Sequence, residues 1–133
     1  RKNKNLQISK YFDSYEFKKE RFKKKQKFIA LLDDEKLLCS GWSYKGTEWY
    51  ISEVDLKIGI KNSIMLFDFE TPESERNKGN YIAILKLIKN KFKSRKLLIY
   101  SLSSNQNSIK GIIGAGFNFK KKVSKLSSGK YDR

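Results

Sequence analysis

The residue pattern predicts an α+β domain in which helices pack on a mixed sheet. Two observations lead there. Phe28–Leu32 and Leu37–Tyr44 are apolar runs on either side of the polar turn Asp33-Asp34-Glu35-Lys36, the mark of a β-hairpin. The almost continuously apolar run Ser63–Phe69 then passes through a polar loop into a helical repeat, the mark of a buried strand feeding a packed helix.

The remaining elements follow in order. Tyr11, Phe12, Tyr15 and Phe22 recur near helical spacing among Lys and Glu, predicting an amphipathic packing helix from Tyr11 to about Lys27. Trp49–Ile60 is β-like and ends near Gly59. Thr71-Pro72-Glu73 terminates the Ser63–Phe69 strand, and Ser74–Gly79 forms the polar loop. From Asn80 to about Lys93, Tyr81, Ile84, Leu85, Ile88 and Phe92 share one helical face, opposite Lys86, Lys89, Asn90 and Lys93. Leu97–Leu102 reads as a strand, Asn105–Ala115 as a short helix and Phe117–Val123 as a last strand, with a polar tail from Ser124 to Arg133 expected to fray.

The 133 residues fit a single domain over 1–133, with no repeat and no internal linker. An aromatic content of 14% argues for a packed core despite the charge. No apolar run approaches the length of a bilayer span, and nothing in the first residues resembles an export signal. The chain begins at Arg1 rather than Met, and a short N-terminal element is expected upstream of it.

The absence of histidine excludes Ser-His-Asp and Cys-His mechanisms and any histidine metal site. Proton transfer must use carboxylate, Tyr, Lys, thiol or water. The single cysteine, Cys39, excludes an internal disulfide and a cysteine zinc cluster; no metal site is expected, and the location is expected to be cytoplasmic. Lying between Leu38 and Ser40 in an apolar stretch, Cys39 reads as a buried structural thiol.

With 30 Lys+Arg against 14 Asp+Glu, the chain carries a formal charge of +16, which suits nucleic acid, an anionic membrane surface or an anionic small ligand. The lysines are spread through every segment, with clusters at Lys18-Lys19, Lys23-Lys24-Lys25 and Lys120-Lys121-Lys122. A lysine-rich surface of this kind reads first as a solvated face.

The chemistry concentrates between Phe67 and Tyr81, where a strand runs through a loop into a helix start. Helix N-termini present unpaired amides and a positive dipole end to anions, Gly79 permits close backbone approach, and Arg76 and Lys78 add charge. The spacing fits neither the Walker loop nor the three-glycine dinucleotide fingerprint.

Arg76-Asn77-Lys78-Gly79-Asn80-Tyr81 resembles the Arg/Gln-x-x-Gly-x-Gly/Ala acetyl-CoA loop of the GNAT superfamily of N-acetyltransferases, with Tyr81 in the last position. Downstream, Asn105 through Gly116-Phe117 resembles the family's Asn-x-x-Ser/Ala-x-x-x-Tyr-x-x-x-Gly-Phe pattern, and Leu97–Leu102 lies between the two motifs. The resemblance covers about residues 28 to 123. It implies a largely antiparallel sheet with one splayed strand pair, and acetyl-CoA as acyl donor. Asn77, Lys78, Asn80, Tyr81 and Ile82 would offer amides to the pyrophosphate beside Arg76 and Gly79. Glu70 and Thr71 would meet the pantetheine arm through their main chain, and Asn105 and Ser108 would contact it from the other side. Asn105 and Ser108 also read simply as a capped helix start.

The implied reaction is direct attack of a primary amine on the thioester, without a covalent enzyme intermediate. The Tyr81 form resembles GNAT proteins of bacterial surface-polysaccharide loci, which implies an amino sugar as acceptor. Ile112 stands where many family members place a proton-donating Tyr, leaving Tyr100 and Tyr81 as substitutes, each with an aromatic-core reading beside it. Met65 stands where some members carry a Glu that serves as general base. Among Glu53, Asp55, Asp68 and Glu70, Glu53 is the preferred base, on a strand between the apolar Ile51 and Val54; a solvent-facing strand residue is the competing reading. Trp42, Trp49 and Tyr50 are expected to pack rather than to stack on a sugar. The alternative function is a non-catalytic module of the same fold that binds CoA or a polyanion such as nucleic acid. Monomer and homodimer both stay open.

Overall fold

The acidic turn closes a hairpin. β1 (Lys27–Asp33) and β2 (Lys36–Lys45) pair antiparallel, with Asp34 in the left-handed region at φ 56°, a conformation its short polar side chain tolerates. The structure is a computed structural model and describes residues 21–120, 122, 124–125 and 131–132. Of the helix expected over Tyr11–Lys27, positions 21–23 are helical and positions 11–20 lie outside the described residues.

Trp49–Ile60 folds back on itself: β3 (Glu48–Ile51) and β4 (Leu56–Gly59) form a separate antiparallel hairpin. β5 (Ser63–Glu70) pairs antiparallel with β2 and parallel with β6 (Lys96–Ile99), so the main sheet runs β1-β2-β5-β6. α1 (Asn80–Lys91) and α2 (Gln106–Gly114) complete the core. Lys89 and Lys91 occupy the last turn of α1, where cations suit the negative end of the helix.

The strand alternation sorts the core onto two faces. Ile64, Leu66 and Cys39 pack with Ile84, Leu85 and Ile88 of α1. Met65, Phe67 and Trp42 pack with Ile60 on the other face, where Phe22, Phe28, Trp49, Ile58 and Tyr100 close over them. β5 is therefore buried on both sides, which explains its uninterrupted apolar sequence.

The strand expected at Phe117–Val123 does not form over its described residues. Gly116 turns the chain at φ 98°, Lys89 Nζ holds its carbonyl at 2.8 Å, and Phe117 N bonds Ile112 O. Phe117 packs on the core, but the segment has no ladder partner and Phe119 is 78% exposed. Beyond it, and against the expectation of a frayed tail, β7 (Ser124–Lys125) and β8 (Tyr131–Asp132) pair antiparallel. Among the described residues, no helix is long and apolar enough to cross a membrane.

Candidate functional site

β5 changes phase at its C-terminal end. Ser40 of β2 pairs with Glu70, and Trp42 pairs with Phe67, so Gly41 alone faces both Asp68 and Phe69. This is a β-bulge, with Asp68 at φ 51°. Its consequence is a swap of faces. Strict alternation would put residue 68 on the helix side with Ile64 and Leu66, but the extra residue sends Phe69 there instead, against Tyr81 at 5.7 Å between ring centroids. A Cβ on Gly41 would lie 2.2 Å from the Phe69 ring, so only glycine admits the crossing. Asp68 stays on the opposite face, beside Phe67.

The β5–β6 ladder ends at the same place. Its last pair is Leu66 with Ile99, while β5 runs on to Glu70 and Tyr100 leaves the strand. The ladder thus ends where β6 itself ends, at Ile99.

On the helix side, Pro72 opens a 3-10 turn, Glu73–Glu75. Arg76 Nε donates to Thr71 O at 2.9 Å and Asn80 Nδ2 to Glu75 O at 2.9 Å, fastening the loop at both ends. Glu75 is only 4% exposed and pairs with Lys36 Nζ at 2.8 Å and Lys78 Nζ at 3.3 Å. The Lys36 hydrogen bond leads in holding the Glu75 carboxyl below its ordinary range, with Lys78 assisting and burial opposing. Lys78, expected to serve a phosphate, is thus engaged with Glu75 inside the loop, and the Lys36–Glu75 pair ties the loop to the start of β2.

Gly79 caps α1 at φ 79°, with no side chain bonding the first amides, and the space beside its Cα is open. Its carbonyl accepts from Ala83 N at 3.0 Å, the first helical bond, so the amides of Asn80, Tyr81 and Ile82 precede the intrahelical series. Tyr81 lies between the helices: its ring occupies the position a Cβ of Gly111 would take, and its hydroxyl is 3.4 Å from Ser108 Oγ. Burial raises the Tyr81 pKa. Asn105 Oδ1 accepts from Ser108 N at 3.1 Å, so the capped-helix reading of this pair holds. Ile112 packs on the core. Thr71 Oγ1 donates to Cys39 Sγ at 3.3 Å, and burial pushes that fully buried thiol up, as suits a structural cysteine.

The opposite face opens into a pocket of about 260 Å³. Its walls are Phe67 and Asp68 from the end of β5, Tyr100 just past β6, Trp49 and Tyr50 from β3, Ser52 and Glu53 from the hairpin turn, and Arg21, Lys24 and Gln26 from the segment before β1. Gln26 Oε1 is buried without a hydrogen-bond partner among the described residues. Both residues chosen for catalysis from the sequence, Glu53 and Tyr100, are in this pocket. Glu53, however, sits exposed in the β3–β4 turn rather than on a strand between apolar neighbours, because the chain reverses at 52–55.

Trp49 Nε1 donates to Tyr100 Oη at 3.2 Å, which leaves the hydroxyl proton of Tyr100 available to another acceptor. Burial raises the Tyr100 pKa, the Trp49 bond opposes the rise, and the negative charges of Glu53 and Asp68 add to it. Tyr100 is therefore a proton holder. Asp68 is paired with Arg21, whose guanidinium lies 5.0 Å from the Trp42 ring centroid and 5.4 Å from that of Phe67. Trp42 and Trp49 pack, as expected, but Tyr50 is 52% exposed on the pocket wall and donates to Asp55 Oδ1.

Nothing in the sequence marks Arg21, Lys24 or Gln26 for this site, since they precede the first strand. The one available sign of the bulge was Gly41 facing a run, Phe67-Asp68-Phe69, whose apolar residues cannot both point one way at a turning strand.

No protein-family model and no curated protein matches the sequence. Solved structures do. A probable acetyltransferase superposes with a TM-score of 0.59 at 16% identity, over 89% of this chain and 80% of that chain. Aminoglycoside antibiotic 6'-N-acetyltransferase AAC(6')-IG from Acinetobacter haemolyticus gives 0.59 at 12% identity, over 88% and 83%. The ribosomal-protein-alanine N-acetyltransferase of Brucella melitensis biovar Abortus 2308 gives 0.52 at 13%, over 89% and 87%. At such identities the likeness speaks for the fold. With its mixed, largely antiparallel sheet, the parallel β5–β6 pair that ends at Leu66 and Ile99, and the helix led by Gly79, this chain is a GNAT-fold protein.

Proposed function

We propose that the protein is an acetyl-CoA-dependent N-acetyltransferase that moves the acetyl group directly onto a primary amine, with an amino sugar as the favoured acceptor class. The observation that carries the reading is the position of the pocket. It is lined by Phe67, Asp68 and Tyr100, the residues immediately beyond the last β5–β6 pair, so it opens at the end of that ladder. The donor would come from the helix side of that opening and the acceptor from the pocket side.

The residues present fit acetyl-CoA. The left-handed Gly79 with open space beside it and the leading amides of α1 suit a pyrophosphate. Asn77, Lys78 and Asn80 would contribute main chain there, and Arg76 would contribute charge. Main chain of Glu70 and Thr71, beyond the bulge, would meet the pantetheine arm, with Asn105 and Ser108 opposite it.

In the transfer, the amine nitrogen forms the new C–N bond to the acetyl carbon, the C–S bond breaks, and CoA leaves as thiolate. The ammonium form of the acceptor must first lose a proton, for which Glu53 is the exposed carboxylate on the pocket wall. Tyr100 keeps its proton at neutral pH and would donate it to the leaving sulfur, the service Ile112 cannot perform, and the second proton shed by the nitrogen as the amide forms would restore the Tyr100 hydroxyl. A second reading, a non-catalytic module binding CoA or a polyanion, is favoured by Ile112 being core and by the charge of +16.

Calorimetric titration of acetyl-CoA at about 0.3 M salt, with ATP as control, tests the proposal. Saturable binding near one per chain that ATP does not match, followed by thiol release with an amino sugar, is the expected result. Binding that ATP equals, or none, would overturn it.

A further inference from the structure

The charges around the pocket bear on which amine it takes. We infer that the acceptor is a small amine carrying its own anionic group, a phosphate or carboxylate, and not a polycation; the inference rests on the acyl-transfer reading above.

Three observations support it. First, the carboxylate nearest the strand opening is already matched. Asp68 is paired with Arg21, whose side chain is 16% exposed and lies over Trp42 and Phe67, so a second cationic group of a ligand would have to compete with a held guanidinium. Second, the other two charged residues on the wall have opposite signs. Glu53 and Lys24 are both exposed, and Lys24 makes no ion pair among the described residues. One anionic and one cationic point complement a ligand that bears an ammonium and an anion. Third, the surroundings favour negative ligands. Lys23, Lys25 and Lys27 flank Lys24 and are exposed, in a chain of +16. Such a field raises the local concentration of anions and repels oligoamines. The pocket's size limits the ligand as well: at about 260 Å³ it falls below the ~300–1,000 Å³ of drug-sized sites, room for a single sugar ring.

The ammonium would sit toward Glu53 and Tyr100, and the anion toward Lys24. Lys24 is then a specificity residue for the acceptor. It has no part in the chemical step.

The test compares one scaffold in several charge states by calorimetry, with and without saturating CoA. The probes are glucosamine, glucosamine 6-phosphate, 2-amino-2-deoxyglucuronic acid and the oligoamine tobramycin. The anionic pair should bind about tenfold tighter than glucosamine, as a charge-assisted bond provides, and tobramycin should bind weaker than glucosamine. Comparison of the two acids tells phosphate from carboxylate. The preference should shrink as salt rises from about 0.05 to about 0.5 M. Lys24→Glu should invert the order of glucosamine and its 6-phosphate while CoA affinity stays the same, and Lys24→Gln should level it.

Equal binding of glucosamine and both acids, tighter binding of tobramycin, binding of none, or an order untouched in both Lys24 variants overturns the inference. Failure of CoA to bind while the anionic amines still do would count against the acetyltransferase reading and leave the charge preference standing.

Discussion

Replacing Gly111 by alanine would drive a methyl group into the ring of Tyr81. The Cβ position lies 2.3 Å from Tyr81 Cδ2 and 2.7 Å from Cε2, whereas carbon atoms rest at about 3.5–4.0 Å. The ring must therefore retreat by roughly 1 Å or more. It has little room to do so, since the tilted Phe69 ring packs against it and Ser108 Oγ lies beside its hydroxyl. Nor can α2 easily yield, because Gly111 is buried and its carbonyl accepts from Ala115 N at 3.0 Å. Overpacking of this kind costs about 1–3 kcal/mol, and the better helix propensity of alanine returns about 1 kcal/mol. The single variant should lose about 0–2 kcal/mol. In a Tyr81→Ala background the obstruction is gone, so the same substitution should stabilise by up to about 1 kcal/mol. The change of sign is the signature. Urea unfolding of the four proteins of this cycle measures it, and a coupling of about 1–3 kcal/mol is expected. If Gly111→Ala destabilised both backgrounds equally, Tyr81 would not be what requires glycine there, and the packing account of the unusual Tyr81 would be refuted.

Gly79→Trp should abolish acetyl-CoA binding in calorimetry, because the indole would fill open space beside the helix start, and should lower stability by about 1–2 kcal/mol, because φ at this position is 79°; unchanged affinity would remove this loop from the cofactor site. Tyr100→Phe should lower kcat about tenfold or more with acetyl-CoA affinity intact, and a normal kcat would reject Tyr100 as the acid. Because the Tyr100 pKa is raised, its proton is retained through the ordinary tyrosine range, so the wild-type rate should show no fall from this group below about pH 10. The depressed Glu75 pKa means that the folded state binds the Glu75 proton less readily than the unfolded chain does. Its stabilisation is present above the ordinary carboxylate range and is lost as pH falls through the folded value, so the Tm of wild type should fall on acidification below about pH 4 more than that of Glu75→Gln.

The elements that rest on local pattern were legible. The hairpin at 27–45 follows from two apolar runs about a polar turn, and α1 from the repeat of Ile84, Leu85 and Ile88. The loop leading to Gly79 was legible as a helix start open to anions, while the pairing of Lys78 with Glu75 was not. Glu75 lies in a run of polar residues that reads as solvated loop, and its burial depends on Lys36, which is far away in sequence. The strand expected over Phe117–Val123 failed for a similar reason: local sequence shows that a segment could extend, but a ladder needs a partner edge. The pocket was half visible. Glu53 and Tyr100 could be named from the acceptor side of a resemblance, whereas Arg21 and Lys24 enter only through the tertiary fold.

The bulge at Asp68 joins these pieces. One inserted residue lets consecutive side chains serve opposite faces: Phe69 supports Tyr81 and hence the helix start, while Asp68 meets Arg21 in the pocket wall. The two halves of the site are thereby coupled through adjacent residues of one strand. Gly41 is the permissive element on the facing strand. A methyl group there, 2.2 Å from the Phe69 ring, could be relieved only by displacing that ring toward Tyr81 or by removing the bulge. Either movement reaches both faces together. Loss of donor binding and loss of acceptor binding should therefore travel as a pair in Gly41→Ala, although Gly41 lies among neither the residues assigned to acetyl-CoA nor those of the pocket wall.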